Sequence, residues 1–327
     1  GRPAHSKQPP RPQRLRLSQS RPMGLGRSLI LKTAAWKPVE RLVRRSFLFR
    51  PLVRRFIAGD TLDQALVQAE ALAAKGLFSS LDYLGENTLN EAEAEAAKQA
   101  YIDMLDRIAA SPHRDAINIS IKLTQCGLDL GEEYAERQYR EVLAAAHGLF
   151  VRVDMESSEY TEKTLAMIER VFPDYPNTGT VLQSYLFRTK EDAERMIRLG
   201  ARVRLVKGAY LEPEAVAFSS KAEVDRAFVE IGETLLRRGN YPAIATHDSK
   251  IIAHFEAFAE REGIGKERFE FQMLYGIRRD LQEGLRAKGY HVRVYIPFGD
   301  SWYPYFTRRL AERPANAFFI LRSLFRR

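Results

Sequence analysis

The residues best placed to do chemistry stand near the end of the chain. In Tyr295-Ile-Pro-Phe-Gly-Asp-Ser-Trp-Tyr-Pro-Tyr305-Phe-Thr-Arg308-Arg309-Leu-Ala-Glu312, a short apolar strand runs through a Pro/Gly turn into a helix. Tyr305, Arg308, Arg309 and Glu312 then recur at offsets of three and four, which gathers them on roughly one helix face. Two guanidiniums beside a phenol form a clamp for a small carboxylate. The alternative is a helix end whose arginines are solvated and favoured by the dipole.

The elements that must position this clamp follow a steady rhythm. Short β-type apolar runs occupy residues 77–86, 116–123, 149–156, 180–186, 202–210, 242–248, 269–276 and 291–299. Helix-type stretches lie between them at 90–110, 132–147, 161–171, 190–199, 219–238, 250–262 and 278–288. Eight strand-helix units in unbroken alternation predict a (βα)8 barrel of the TIM type. An open doubly wound sheet is the alternative, but no Gly-rich dinucleotide fingerprint follows any strand. Ahead of the barrel, residues 36–58 mix apolar and basic side chains and predict one or two amphipathic helices broken near Pro51. Such helices either pack beside the main domain or lie on an anionic membrane. The expected organisation is a disordered basic arm over 1–35, N-terminal helices over 36–76 and the barrel over 77–327.

In such a barrel, chemistry sits where strands finish. Those ends carry Glu86, then Lys122, then Asp154 with Glu156, then Gln183, then Arg204, Lys207 and Tyr210. Thr246, His247 and Asp248 follow, then Gln272, Leu274 and Tyr275, and last Tyr295. Charged groups buried at a barrel mouth need partners or ligands, because desolvation alone is costly. Three chemistries compete. A metal hydrolase needs clustered His and carboxylate ligands, whereas His247-Asp248 stands alone, so no metal is expected. A Schiff-base aldolase or lyase would use a desolvated Lys122 or Lys207. A flavin enzyme would use Arg204, Gln183 and Lys207 around the ring, with Gly208 and Ala209 admitting it to the backbone.

Composition bounds the partners. A length of 327 residues, with 45% hydrophobic and 28% charged residues, is ordinary for a soluble globular protein. The net charge of +9 belongs to the N-terminus: residues 1–39 hold nine Lys or Arg and no Asp or Glu. The remaining 42 basic residues match the 42 acidic ones, which excludes a globally cationic nucleic-acid surface. A basic-arm protein whose main role is membrane or nucleic-acid binding is the non-catalytic alternative. The single cysteine, Cys126, fits a reducing compartment and a structural role.

Val203-Arg-Leu-Val-Lys-Gly-Ala-Tyr210, Ala245-Thr-His-Asp248, Phe271-Gln-Met-Leu-Tyr-Gly276 and the tail from Arg293 to Asn316 resemble proline dehydrogenase, in that family's order and over roughly residues 77–320. The length resembles the stand-alone form. The resemblance implies a distorted (βα)8 barrel holding FAD and oxidising L-proline to Δ1-pyrroline-5-carboxylate. A membrane quinone would accept the electrons, and a separate pyrroline-5-carboxylate dehydrogenase would be a partner. It implies that Arg308, Arg309 and Lys122 meet the substrate carboxylate and that Glu86 orders the pocket. Tyr295, Tyr305, Tyr210 and Leu274 would wall the proline ring, Asp154 would hold Tyr295, and Glu312 would brace the arginine helix. Arg204 would sit near the flavin N5. Met155, Gln183, Val206, Lys207, Gly208, Ala209, Thr246 and His247 would line the cofactor. The implied location is cytoplasmic with peripheral contact at the inner membrane, or alternatively the mitochondrial matrix side.

Overall fold

Strict alternation in the strands decides which way the sheet closes. Ile117, Ile119 and Ile121 alternate with Asn118 and Ser120; Val151 and Val153 flank Arg152; Phe269, Phe271 and Met273 alternate with Glu270 and Gln272. Successive side chains of a strand point to opposite faces, so each of these three strands has one apolar and one polar face. In a computed structural model, which describes residues 37–45, 49–85 and 88–312, the apolar faces point outward under a ring of helices. They form one continuous buried core with those helices. The polar faces point into the barrel.

The strands are β1 (Phe78–Tyr83), β2 (Ile117–Ile121), β3 (Val151–Val153), β4 (Thr178–Gln183), β5 (Arg202–Val206), β6 (Ala243–Ala245), β7 (Glu270–Leu274) and β8 (His291–Phe298). They pair in parallel, in sequence order, and β8 closes onto β1 over Phe78↔Arg293 to Tyr83↔Phe298. The expected barrel is therefore the observed one. The lead-in helices are α1 (Lys37–Arg45), α2 (Arg50–Phe56) and α3 (Leu62–Ala74). The crossovers hold α4 (Glu91–Ala109), α5 (Glu132–Ala144), α6 (Ser158–Val171), α7 (Thr189–Leu199), α8 (Lys221–Arg238), α9 (Ser249–Arg261) and α10 (Arg279–Ala287). The helix after β8 is α11 (Tyr303–Glu312). Local signals start several of them. Thr61 caps α3, Ser220 caps α8, and Asn90 caps α4 by accepting from the Glu93 N–H at 2.9 Å. Pro51 sits in the first turn of α2, where its missing N–H costs nothing, so it opens that helix.

Two placements distort the ideal barrel. α3 packs outside β1 and β8, with Ala65, Leu66 and Ala69 in the barrel's own core. It takes the position an eighth outer helix would occupy. α11 instead lies over the mouth. Tyr305 and Phe306 share a second apolar cluster with Val53, Phe56 and Ile57 of the lead-in, and Tyr295 packs against it. Burying Phe306 there, 1% exposed, contributes about 1.5–3 kcal/mol. α1 is tied to the same assembly by the Arg44 guanidinium, which donates to the Asp300 carbonyl at 2.9 Å and lies over Trp302 at 5.2 Å. Gly276 makes the approach of α2 feasible. Its φ is +75°, and a Cβ there would meet the Arg55 carbonyl oxygen at 1.7 Å. The lead-in helices thus pack beside the barrel, and among the described residues no helix is long and apolar enough to cross a membrane. The arm expected over 1–35 and Glu86 lie outside the described residues, as does the Glu312 side chain.

Candidate active site

Inside the mouth, side chains from strands that are not neighbours meet. The Arg204 guanidinium on β5 donates to Asp154 Oδ1 beyond β3 at 2.7 Å, to Ser120 Oγ on β2 at 3.2 Å, and to Gln272 Oε1 on β7. It lies 5.1 Å from the centre of the Tyr295 ring on β8. β5 pairs only with β4 and β6, so these contacts cross the barrel interior. Arg204 is 5% exposed, and three fixed partners leave it no freedom to turn. The Tyr295 hydroxyl donates to Asp154 Oδ2 at 2.6 Å. Lys122 Nζ lies 3.8 Å from the same oxygen and 2.5 Å from Asp82 Oδ1. Asp82, Lys122, Asp154 and Arg204 therefore alternate in sign around the mouth.

The electrostatics follow from that alternation. Burial pulls the Lys122 pKa down, but Asp82 and Asp154 outweigh it and hold the ammonium above its ordinary value. Burial, reinforced by the Asp154 charge, pushes the Tyr295 phenol well up, so it stays protonated and donates. Tyr210 is raised by burial and by Glu156, while Lys122 and Arg308 oppose the rise. Arg308 itself is exposed. Arg309 is half-buried, its guanidinium 5.1 Å from the Tyr305 ring centre, which is the guanidinium–phenol pairing that the tail spacing predicts.

Comparison with known proteins decides what this mouth belongs to. The family model described as proline dehydrogenase matches residues 65–322. Proline dehydrogenase 1 of Bacillus subtilis is 42% identical over 276 residues, covering 84% of this chain and 91% of the relative. The chain belongs to the proline dehydrogenase family. Proline dehydrogenase of Deinococcus radiodurans is 39% identical over 309 residues, covering 92% of this chain and 98% of that one. Proline utilization A from Bdellovibrio bacteriovorus, in a crystal structure of the protein inactivated by N-propargylglycine, superimposes with a TM-score of 0.75 at 28% identity. That match covers 82% of this chain and 33% of the larger one, so this chain spans about a third of that protein's length. Family membership makes the chain an oxidoreductase acting on proline.

Lys122, Asp154, Arg204 and Tyr295, all expected from the sequence, meet at Asp154, which accepts from Arg204 and Tyr295 and lies 3.8 Å from Lys122. Tyr305 packs with Tyr295 in the apolar cluster beside them, while Tyr210 and Arg308 are exposed and Leu274 is half-buried at the end of β7. Several of the residues expected to line a cofactor are held by neighbours outside that set. Gln183 Nε2 donates to the Glu156 carbonyl at 2.9 Å. Lys207 Nζ is 2.6 Å from Asp225 and 3.9 Å from Asp248. Thr246 Oγ1 accepts the Asp248 N–H at 3.1 Å. His247 Nε2 accepts the Leu274 N–H at 2.9 Å, so that nitrogen carries no proton. Met155 is buried and Val206 half-buried, while Ala209 is exposed.

The sequence-derived set lacks Asp82, although it is the nearest partner of Lys122. Its signal was the polar face of Ser80 and Asp82 opposite Leu81, the same alternation that marks β2, β3 and β7. Asp82 also bears on the aldolase alternative. An amine nucleophile must lose its proton, and a lysine whose pKa is raised between two carboxylates holds it. Cys126 is buried, its thiol pushed up to about 12 by burial, and so it is unreactive.

Proposed function

We propose that the chain oxidises L-proline to Δ1-pyrroline-5-carboxylate in the barrel mouth, with FAD as the electron-accepting cofactor and a membrane quinone as the final acceptor. One observation carries this reading. A charge-balanced cluster of Asp82, Lys122, Asp154 and Arg204 lies at the strand ends, and Tyr305 of α11, the helix that carries Arg308 and Arg309, packs against Tyr295 beside it.

The residues fit a flavin. Arg204 is a desolvated, immobile cation at the mouth, which favours an electron-rich partner. Beyond β5 the chain leaves regular structure at Lys207–Gly208, and Gly208 has φ +124°. A Cβ there would lie 2.4 Å from the Tyr185 ring, so this backbone is bare by necessity. Met155, Gln183, Val206, Lys207, Gly208, Ala209, Thr246 and His247 are the residues that would hold the cofactor. When bound, FAD supplies the acceptor for the two electrons and the hydrogen that leave the ring carbon next to nitrogen.

The chain's own groups would do the rest. Arg308 and Arg309 would take the proline carboxylate, joined by a Lys122 whose proton is secured by Asp82 and Asp154. Tyr295, Tyr305, Tyr210 and Leu274 would wall the ring and exclude water. Asp154 would fix Tyr295 by the bond it already accepts, so that one ring face is presented to the cofactor. The proline nitrogen must be neutral to form the C=N bond, so kcat/KM should rise with pH. Lys122 does not set that dependence, because its raised pKa keeps it charged throughout. The deciding experiment is a spectrum of the purified protein before and after L-proline. Flavin absorption bleached by proline is expected; a colourless protein that stays inactive with added FAD would sink the reading.

A further inference from the structure

We propose that a second cavity, beside the mouth and under α1 and α2, receives the quinone; this rests on the flavin reading above. The cavity holds about 620 Å³, within the range of small-molecule sites. Its lining is more polar than apolar, and Val43, Val53, Ile57, Val67, Tyr275 and Trp302 supply the apolar and aromatic part. Its polar lining is rich in donors. Gln68 Oε1 accepts the Tyr275 hydroxyl at 3.0 Å, which leaves its amide N–H groups to point elsewhere. Arg50 and Arg54, four residues apart on α2, are exposed and line the same space. Asp60 shares the rim, so the charge is mixed. A flat ring with two carbonyl acceptors would meet the aromatic side chains with its faces and the donors with its oxygens.

Position supports the same occupant. The Tyr275 N–H donates to the Tyr295 carbonyl at 2.9 Å, and the Tyr295 hydroxyl binds Asp154 inside the mouth. Ile57 and Trp302 belong to the apolar cluster that contains Tyr305 and abuts Tyr295. The cavity and the mouth thus share a wall. On the outer side, Val67 is 60% exposed and Leu42, next to Val43, is 65% exposed. Around them, residues 37–55 hold seven Lys or Arg against one acid, Glu40. An apolar opening set in basic surface suits a ligand drawn from an anionic bilayer. The electron count closes: two electrons taken from proline leave the reduced cofactor, two protons join them, and the quinone departs as hydroquinone while the cofactor returns to its oxidised form.

The test separates the two half-reactions of the FAD-loaded full chain. Proline bleaches the flavin anaerobically, and the reduced protein is then mixed with a short-tailed ubiquinone. Val67→Trp, on an exposed helix face, should fill the opening and slow reoxidation by the quinone at least about tenfold. Arg54→Gln should slow it about two- to fivefold. Both should leave the proline bleaching rate within about twofold, which also shows that they fold. Unchanged reoxidation in both variants would overturn the proposal. So would lost binding to phosphatidylglycerol vesicles with reoxidation unchanged, an outcome that assigns the cavity to lipid. A wild-type protein that proline never bleaches would sink the flavin reading and this inference together, whereas normal bleaching with an unmoved quinone step sinks this inference alone.

Discussion

Two layers of charge lie one above the other in the same barrel, and they are built differently. In the lower layer, Arg293 Nε donates to Glu270 at 2.8 Å, and its Nη1 donates to the Ser79 carbonyl at 2.8 Å. Arg152 donates to the Thr180 and Arg202 carbonyls at 3.0 and 3.1 Å, and Tyr241 donates to Glu270 at 3.1 Å. The bonds of Arg152 and Arg293 end largely on backbone, inside the sheet. In the upper layer, Asp82, Lys122, Asp154, Arg204 and Tyr295 bond mainly to one another and face an opening. Gln272 joins the two, accepting from Arg204 above and donating to Glu270 below. A charge answered by backbone has been committed to the fold. A charge answered by another side chain can be shared with a ligand, and the upper layer, formally neutral, leaves the net pull on a carboxylate to Arg308 and Arg309.

The comparison breaks first at Glu270. Glu270→Ala leaves Arg293 and Arg152 without their buried counter-charge, and removing one partner of a buried pair commonly costs about 3–5 kcal/mol. Urea unfolding should show a loss of that size, while proline turnover by the protein that remains folded stays within about threefold. A comparable loss of turnover without a loss of stability would mean the lower layer is part of the active site. Arg309→Met tests the other side. It should raise the proline KM by an amount equivalent to about 2–5 kcal/mol, with flavin retained and the unfolding midpoint nearly unmoved. A near-normal KM would remove the arginines from the carboxylate assignment. Tyr295→Phe should act more gently. A hydrogen bond to a charged acceptor is worth about 1.5–3 kcal/mol, so kcat/KM for proline should fall roughly 10- to 100-fold; an unchanged kcat/KM would make the bond to Asp154 a feature of folding alone.

How much of this was legible beforehand differs between the layers too. The barrel and all eight strands follow from alternation and spacing, because those patterns are local. The upper layer was largely legible because its members stand at strand ends, where Lys122, Asp154, Arg204 and Tyr295 interrupt apolar runs. Asp82 was missed because Leu84-Gly85-Glu86 offers a more conspicuous end to the same strand. Arg152, Glu270 and Arg293 could be seen as polar, yet nothing in a single strand says which residue across a closed barrel will answer them. The position of α11 at the mouth was legible only through the resemblance that sets Arg308 and Arg309 on the substrate, not from the strand-helix rhythm. A helix following β8 looks like any outer helix until α3, from far upstream, is found in its place.

The smallest expected effect is also the most diagnostic of the lower layer, because it titrates one group. Burial raises the Glu270 pKa, but Arg293, with the bonds from Arg293 and Gln272, outweighs it, so the folded value lies below the ordinary one. A depressed folded pKa contributes stability that is present above the unfolded value, about 4.3 for a glutamate. That stability is lost as pH falls through the folded value. Unfolding free energy should therefore drop on acidification below about pH 4.3, the unfolded-glutamate reference. Glu270→Gln lacks that proton, and its acid limb should be shallower by up to about 1.4 kcal/mol per pH unit, one proton's linkage. Parallel acid limbs in the two proteins would show that Glu270 does not hold its charge against Arg293 in the way the lower layer requires, and the contrast between a committed layer and a shareable one would fail at its simplest point.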